Sequence, residues 1–336
     1  MNKVFFESDS VHIHHIDLEQ TKPGTIGMYW LHMVNNSIGE PVRLPILIAR
    51  GRHDGPVLGL TAAIHGNELN GISVIQKIFH DLDLEELHGF VIGVLVVNVP
   101  GLLREQRFFS DGVDLNRITP GKPTGNLSQV YIYRFVDRIL SKFNYHIDLH
   151  TASFGRVNSY YIRADMEDER TSRMARLQNA EIIVHNHPND ATLRGAADGL
   201  NIPSITVELR DPNLFQYGVI KNSLVGIHNV FYDLKMLPGE IACPAKKSIL
   251  CDASYWLYTD EGGILQVYPK VTERVVAGEH VAHVSTIFGK KVKSYTSPED
   301  GIIVGRGVNP LNQTGSRIIH LGRNPREIDC VTGTED

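Results

Sequence analysis

A chain of 336 residues is long enough for one large domain or two modest ones and for a sizeable core. Apolar residues make up 42% and charged residues 21%, close to globular averages, which excludes an intrinsically disordered, collagen-like or disulfide-scaffold protein. Lysine and arginine number 33 against 38 aspartate and glutamate, a net charge of −5, which argues against a broad nucleic-acid or anionic-membrane surface but leaves room for a local basic pocket.

Residues 1–44 alternate weakly, with turn signals at Pro23-Gly24 and Asn35-Asn36, and read as an N-terminal β segment. The first nine residues contain no secretory apolar region. Residues 56–64 form a run too continuous for a sheet with one wet face, so a buried strand is expected. A helix over 70–80 follows, with Ile72, Ile75, Ile78 and Phe79 on one side. Residues 91–99 read as a second buried strand; the apolar run around it is broken by Asn98 and Pro100 and falls short of the ~20 residues of a membrane span. Helix 130–142, strand 145–149, helix 167–180, strands 182–184 and 204–209, and helix 219–234 complete the series. This alternation predicts an α/β domain over 45–238, a mostly parallel or mixed sheet with helices on both faces. Beyond Pro238-Gly239, short strands near 263–268, 280–284 and 301–304 predict a β-rich, barrel-like C-terminal domain over 239–336. Its hairpin rhythm resembles lipoyl and biotinyl domains, but Pro298-Glu299-Asp300-Gly301 lacks the lysine that is modified there. The tail is therefore expected to be structural and to cover one side of a cleft.

Cys243, Cys251 and Cys330 are odd in number, widely spaced and without a CxxC pair. That pattern predicts a reducing, cytoplasmic setting and no cysteine metal site. Sixteen histidines are many for this length, and histidine both binds metals and moves protons near neutral pH. Most have bland neighbours: His12, His14, His15, His80, His88, His185 and His187 lack a second ligand type close by in sequence.

Four segments stand apart. His65-Gly66-Asn67-Glu68 follows the 56–64 strand, and in α/β sheets ligands sit at the carboxyl ends of strands. His146, Asp148 and His150 share one face of a second strand, with His150 nearest its carboxyl end; core or supporting positions are the favoured reading of His146 and Asp148. Two histidines and a glutamate leave a fourth position open, which is the layout of a catalytic zinc site. Arg107 to Arg117 packs two arginines with Asp114 and Asn116 into one loop, and arginine suits a carboxylate or developing oxyanion. Glu208 projects from the apolar strand 204–209, where burial tunes a carboxylate for proton transfer.

The order His65-x-x-Glu68, Asp114-Leu115-Asn116-Arg117, His150, Val207-Glu208-Leu209 resembles the succinylglutamate desuccinylase/aspartoacylase family, whose fold is similar to zinc carboxypeptidases, over about residues 45–325. Gly278-Glu279 and residues 301–306 look most like its bacterial deacylase branch, which includes diaminobutyrate deacetylases. The resemblance implies one zinc held by His65, Glu68 and His150, with Asp114 orienting His65. It gives Arg107, rather than Arg104, the scissile carbonyl and its oxyanion, Asn116 and Arg117 a substrate carboxylate, and Glu208 the proton transfers. Arg194, Arg210 and Arg306 are candidates for further carboxylate contact. Aspartoacylases use a tyrosine near the position where this chain reads Gly305-Arg306, so acetylaspartate itself is not implied. The expected activity is hydrolysis of a small N-acyl amino acid, with no nucleic-acid or membrane partner and a homo-oligomer allowed. The alternatives are a carboxypeptidase-like peptidase acting on short or glutamyl peptides and a non-catalytic zinc-binding homologue.

Overall fold

Apolar runs that alternate with amphipathic segments place strands β1 (Val11–Ile13), β2 (Thr25–Asn35), β3 (Pro41–Arg50) and β4 (His53–Ala62), then helix α1 (Asn70–Asp81) and strand β5 (His88–Val94). These and all later elements are taken from a computed structural model that describes residues 10–188 and 190–333; the leader reading of residues 1–9 lies outside the described residues. The chain continues through α2 (Val99–Leu102), α3 (Leu127–Arg138), β6 (Tyr145–His150), β7 (Arg156–Asn158), β8 (Tyr160–Ala164), α4 (Glu169–Leu177), β9 (Ile182–His185), α5 (Leu193–Gly199), β10 (Ser204–Leu209) and α6 (Tyr217–Asp233). The expected strand over 91–99 stops at Val94. Asn98 caps a helical turn by accepting from Gly101 N–H at 2.9 Å, and Pro100 occupies its first turn, where a missing N–H does no harm.

An eleven-stranded mixed sheet runs β1-β2-β3-β5-β4-β6-β10-β8-β9, and its far edge is completed by β11 (Lys247–Cys251) and a last strand, Arg326–Asp329. Both termini of the described chain therefore build this sheet: β2 pairs antiparallel with β3, and the last strand pairs with β11. Its middle, β5-β4-β6-β10, is parallel, so β4, β6 and β10 end at one edge. Sequence periodicity did not pick out β8, a short strand inserted antiparallel beside β10. Helices α1, α4 and α6 pack on one face around Val74, Phe79, Met174 and Phe231. The other face is covered by α3 and α5 through Tyr131, Phe135 and Leu193.

The remaining strands are β12 (Ala253–Tyr258), β13 (Gly263–Val267), β14 (Arg274–Val275), β15 (His280–Ser285), β16 (Lys291–Thr296), β17 (Gly301–Gly307), β18 (Leu311–Asn312), β19 (Arg317–Arg323) and β20 (Arg326–Asp329), the last being the edge strand above. Between β11 and β20 they form two smaller sheets around Val281, Val284, Ile303, Ile318 and Leu321. This unit is tied to the α/β part by β7, which pairs with β17 so that Asn158 lies opposite Gly305.

The cysteine reading is corrected. Cys243 and Cys330 form a disulfide, and only Cys251, which is buried, is a free thiol. The 87 residues between the paired cysteines hide their proximity in sequence, because β20 returns beside β11 with Asp329 opposite Lys247. Among the described residues no helix is long and apolar enough to cross a membrane.

Candidate metal centre and substrate cleft

Strands β4 and β6 end side by side, with Ala62 opposite Leu149, and the donors follow from each. After β4 the backbone turns at Ala63, φ 52°, and enters His65. Gly66 is required by close approach: a Cβ there would meet the carbonyl carbon of Gly101 in α2 at 2.0 Å. Gly71, the other glycine flanking the motif, packs in α1 against Leu149 and Ala62. Both glycines serve packing.

His65, Glu68 and His150 are buried, and one donor atom from each lies within 4.8 Å of the others. Glu68 Oε1 is 2.8 Å from His65 Nδ1, and Oε2 is 3.0 Å from His150 Nδ1. Thr151 N–H also donates to Glu68 Oε2 at 3.0 Å. Burial alone would raise Glu68, but His65 and His150 hold it well below the usual carboxylate range. The far side of each ring is held by a different carboxylate. His65 Nε2 lies 3.2 Å from Asp114 Oδ1, and His150 Nε2 lies 2.7 Å from Asp148 Oδ2. Each ring thus presents Nδ1 to the centre. His65 Nδ1, buried and 2.8 Å from Glu68 Oε1, makes no aligned hydrogen bond, an arrangement that suits two donors turned toward one electrophile. Two imidazoles, a carboxylate and two carboxylates oriented behind them are a donor set that fits zinc.

Behind His150 the polar chain continues inward. Thr61 Oγ1 donates to Asp148 Oδ1 at 2.6 Å and lies 2.9 Å from His146 Nε2, while His146 Nδ1 is 2.9 Å from Ser204 Oγ. Thr61 has one proton and gives it to the carboxylate, so His146 must donate from Nε2. His146 is fully buried, and burial pushes its pKa down to about 4, with His150 adding to the fall and Asp148 opposing it.

On β10, Glu208 is paired in register with His150 on β6. The strand lies between β6 and β8, so Glu208 is no edge residue facing water. Its Oε2 accepts from Asn158 Nδ2 at 3.0 Å, and Arg163 Nε stands 3.9 Å from Oε1. Burial raises Glu208 above the usual carboxylate range, against the pull of His150 and Arg163.

Arg107, Asn116 and Arg117 line the same cleft, of about 150 Å³, and Asp114 stands just behind the centre. Arg107 holds Asp114 Oδ2 through Nε at 3.0 Å and Nη2 at 2.8 Å, reaches Glu68 Oε1 at 3.4 Å and also donates to Ser153 Oγ. Arg104 turns away to the Ser110 carbonyl. Asn116 uses its side-chain oxygen to accept Leu193 N–H at 2.8 Å, and Arg117 is tethered to the Asn116 carbonyl at 2.6 Å. Arg194 also lines the cleft, whereas Arg210 pairs with Glu181 and Arg306 with the Pro269 carbonyl.

Sequence reasoning missed the opposite wall. Arg156 comes from β7, Arg163 from β8, and Trp256 and Arg317 from the C-terminal sheets. Arg156 and Arg317 stack over Trp256 at 5.9 and 5.4 Å. Arg117, Arg156 and Arg317 have no carboxylate within 4.0 Å among the described residues. Burial and the neighbouring Arg317 and Arg107 lower Arg156 to about 10. The only signal for this wall was the tail's expected cover of one side of the cleft, which named no residue.

Fold and cleft together define an α/β scaffold with a β-rich cover and a donor set that could hold a metal ion, and comparison with known proteins makes the class specific. The family profile described as the succinylglutamate desuccinylase/aspartoacylase catalytic domain matches residues 54–232, and the chain belongs to that family. A curated relative, N-alpha-acetyl-L-2,4-diaminobutyric acid deacetylase of Halomonas elongata, is 24% identical over 278 residues, covering 79% of this chain and 81% of the relative. The fold is similar to the product-bound ectoine utilization protein EutE (DoeB) of Ruegeria pomeroyi, with a TM-score of 0.81 at 19% identity over 89% of this chain and 95% of that one. A succinylglutamate desuccinylase/aspartoacylase structure from Rhodobacter sphaeroides gives 0.80 at 21% identity, over 90% and 95%.

Proposed function

We propose that this chain is a zinc-dependent deacylase that hydrolyses the amide bond of a small, carboxylate-bearing N-acyl amino acid, with one zinc in the cleft. The observation that carries this reading is the convergence of the His65, Glu68 and His150 donor atoms, on the floor of a cleft whose walls supply Glu208 and three arginines without carboxylate partners. Bound there, zinc polarises a carbonyl and lowers the pKa of a water from 15.7 towards ~7. Glu208 takes the proton from the attacking water and hands it to the leaving nitrogen, a role suited to a carboxylate raised by burial. Arg107, locked by Asp114 and with an Nη beside Glu68, donates to the developing oxyanion. Arg117 with Asn116 grips the carboxylate of the amino acid. On the other wall Arg156 and Arg317 attract a second anionic group, which favours an acidic substrate over the diaminobutyrate derivative named for the Halomonas relative.

The small cleft, closed on one side by Trp256 and Arg317, favours this reading over peptide trimming. Drug-sized pockets run to ~300–1,000 Å³. The test is a panel of N-acyl amino acids and C-terminally varied peptides, assayed with and without chelator. Hydrolysis of acidic N-acyl amino acids that chelation abolishes and zinc restores is expected. Glu208→Gln should keep its metal and lose about 10²–10⁴-fold in kcat. Undiminished turnover by chelated protein, or turnover of peptides alone, would refute the proposal.

A further inference from the structure

One more set of imidazoles and a carboxylate converges among the described residues, outside the donors of the cleft: Asp165, His185 and His187. The fold brings them together across two strands. β8 and β9 are parallel neighbours with Ala164 opposite His185, so Asp165, the next residue, arrives beside the end of β9. Asn186 N–H bonds the Ala164 carbonyl at 2.9 Å, which continues the extended pairing. Side chains alternate along an extended chain, so His187 returns to the side of His185, with ring centroids 4.7 Å apart.

The donor distances are those of a ligand set. Asp165 Oδ2 lies 3.0 Å from His187 Nδ1, and Oδ1 lies 3.8 Å from His185 Nδ1. Glu167 stands beside the other nitrogen of each ring, 3.9 Å from His185 Nε2 and 3.7 Å from His187 Nε2. Metal–ligand bonds of ~2.0–2.2 Å join donors ~3–4 Å apart, and a mixed imidazole and carboxylate set suits first-row divalent ions. Asp165 and His185 are half-buried while His187 is exposed, so further coordination positions face water.

The geometry points to a second, surface site for a divalent transition ion held by Asp165, His185 and His187. It shares no donor with the cleft and does not rest on the deacylase reading. Ligation through His185 Nδ1 exchanges the bond that this atom now accepts from Met166 N–H at 3.0 Å. Because Asn186 between the two histidines accepts from Arg194 in the cleft wall, an ion here also anchors the segment that holds Arg194.

The test is zinc stoichiometry. Full-length protein is stripped with chelator, dialysed against zinc, and its metal content measured by mass spectrometry. Wild type should take up two ions per chain, the His185→Ala/His187→Ala variant one, and a His65→Ala/His150→Ala variant, which lacks the cleft donors, one. That last result supports the surface site whatever the deacylase assays give. Circular dichroism checks folding; should the double variant not fold, Asp165→Asn is titrated instead and should weaken one of two zinc affinities about tenfold or more. Equal zinc uptake and affinity in wild type and the folded variant would overturn the site.

Discussion

Thr61 is not one of the three candidate metal donors, yet replacing it by valine should weaken both the fold and the proposed metal centre. Thr61 is fully buried between His146 and Asp148, which are 0% and 1% exposed. Its hydroxyl is the partner of His146 Nε2 and of Asp148 Oδ1. Valine keeps the shape and removes the hydroxyl, stranding one buried N–H and one buried carboxylate oxygen. Each unpaired buried group costs ~1–3 kcal/mol, more when charged, and the extra methyl contact returns ~1 kcal/mol. The net loss is ~1–5 kcal/mol, which for a chain of 336 residues lowers Tm by roughly 2–7 °C. Asp148 then holds His150 Nε2 with a carboxylate that has lost one of its anchors, and losses of such supporting contacts typically reduce metal affinity ~10–100-fold. Thr61→Ser retains the hydroxyl and should lose only a buried methyl, ~1 kcal/mol. Calorimetry of the chelated proteins and zinc titration with a competing chromophoric chelator measure the two effects separately. A valine variant with wild-type Tm and zinc affinity, or a serine variant as damaged as the valine one, would refute the reasoning.

Two further predictions follow from the opposite wall of the cleft. Arg163 helps to hold down the pKa of Glu208 at 3.9 Å, and a charge pair at ~4 Å is worth ~1 kcal/mol in water and ~4 at an effective dielectric of 20. Arg163→Gln should therefore move the acidic limb of the kcat profile to higher pH by about 1–3 units, since Glu208 must be ionised to take a proton; an unmoved limb would separate that limb from Glu208. Arg317→Ala removes a cation without a carboxylate partner and exposes the Trp256 face, and it should raise KM for acidic acyl groups by about tenfold or more, ~1.5–3 kcal/mol for a charge-assisted bond, while leaving KM for an acetyl substrate nearly unchanged. Equal effects on both substrates would place the second anionic group elsewhere.

Much of the candidate metal centre was legible because its signals are local. His65 and Glu68 lie three residues apart at the end of a strand, and strand parity alone put His146, Asp148 and His150 on one face. Parity does not reveal what that face meets. Thr61, 85 residues before His146, becomes its neighbour only because β4 pairs with β6. The opposite wall was illegible for a similar reason: β8 runs against β10, so Tyr161 reaches the carboxyl edge from the amino end of β8, and Asn158 arrives at Glu208 from the end of the preceding β7. Arg317 enters from a sheet more than a hundred residues downstream. The same blindness governed the cysteines and the surface histidines. Cys243 finds Cys330 through the pairing of β11 with β20, and His185 and His187, bland by their own sequence neighbours, acquire Asp165 through the pairing of β9 with β8. A histidine's chemistry here depends less on what adjoins it in sequence than on which strand end lies next to its own, a relation set by sheet order.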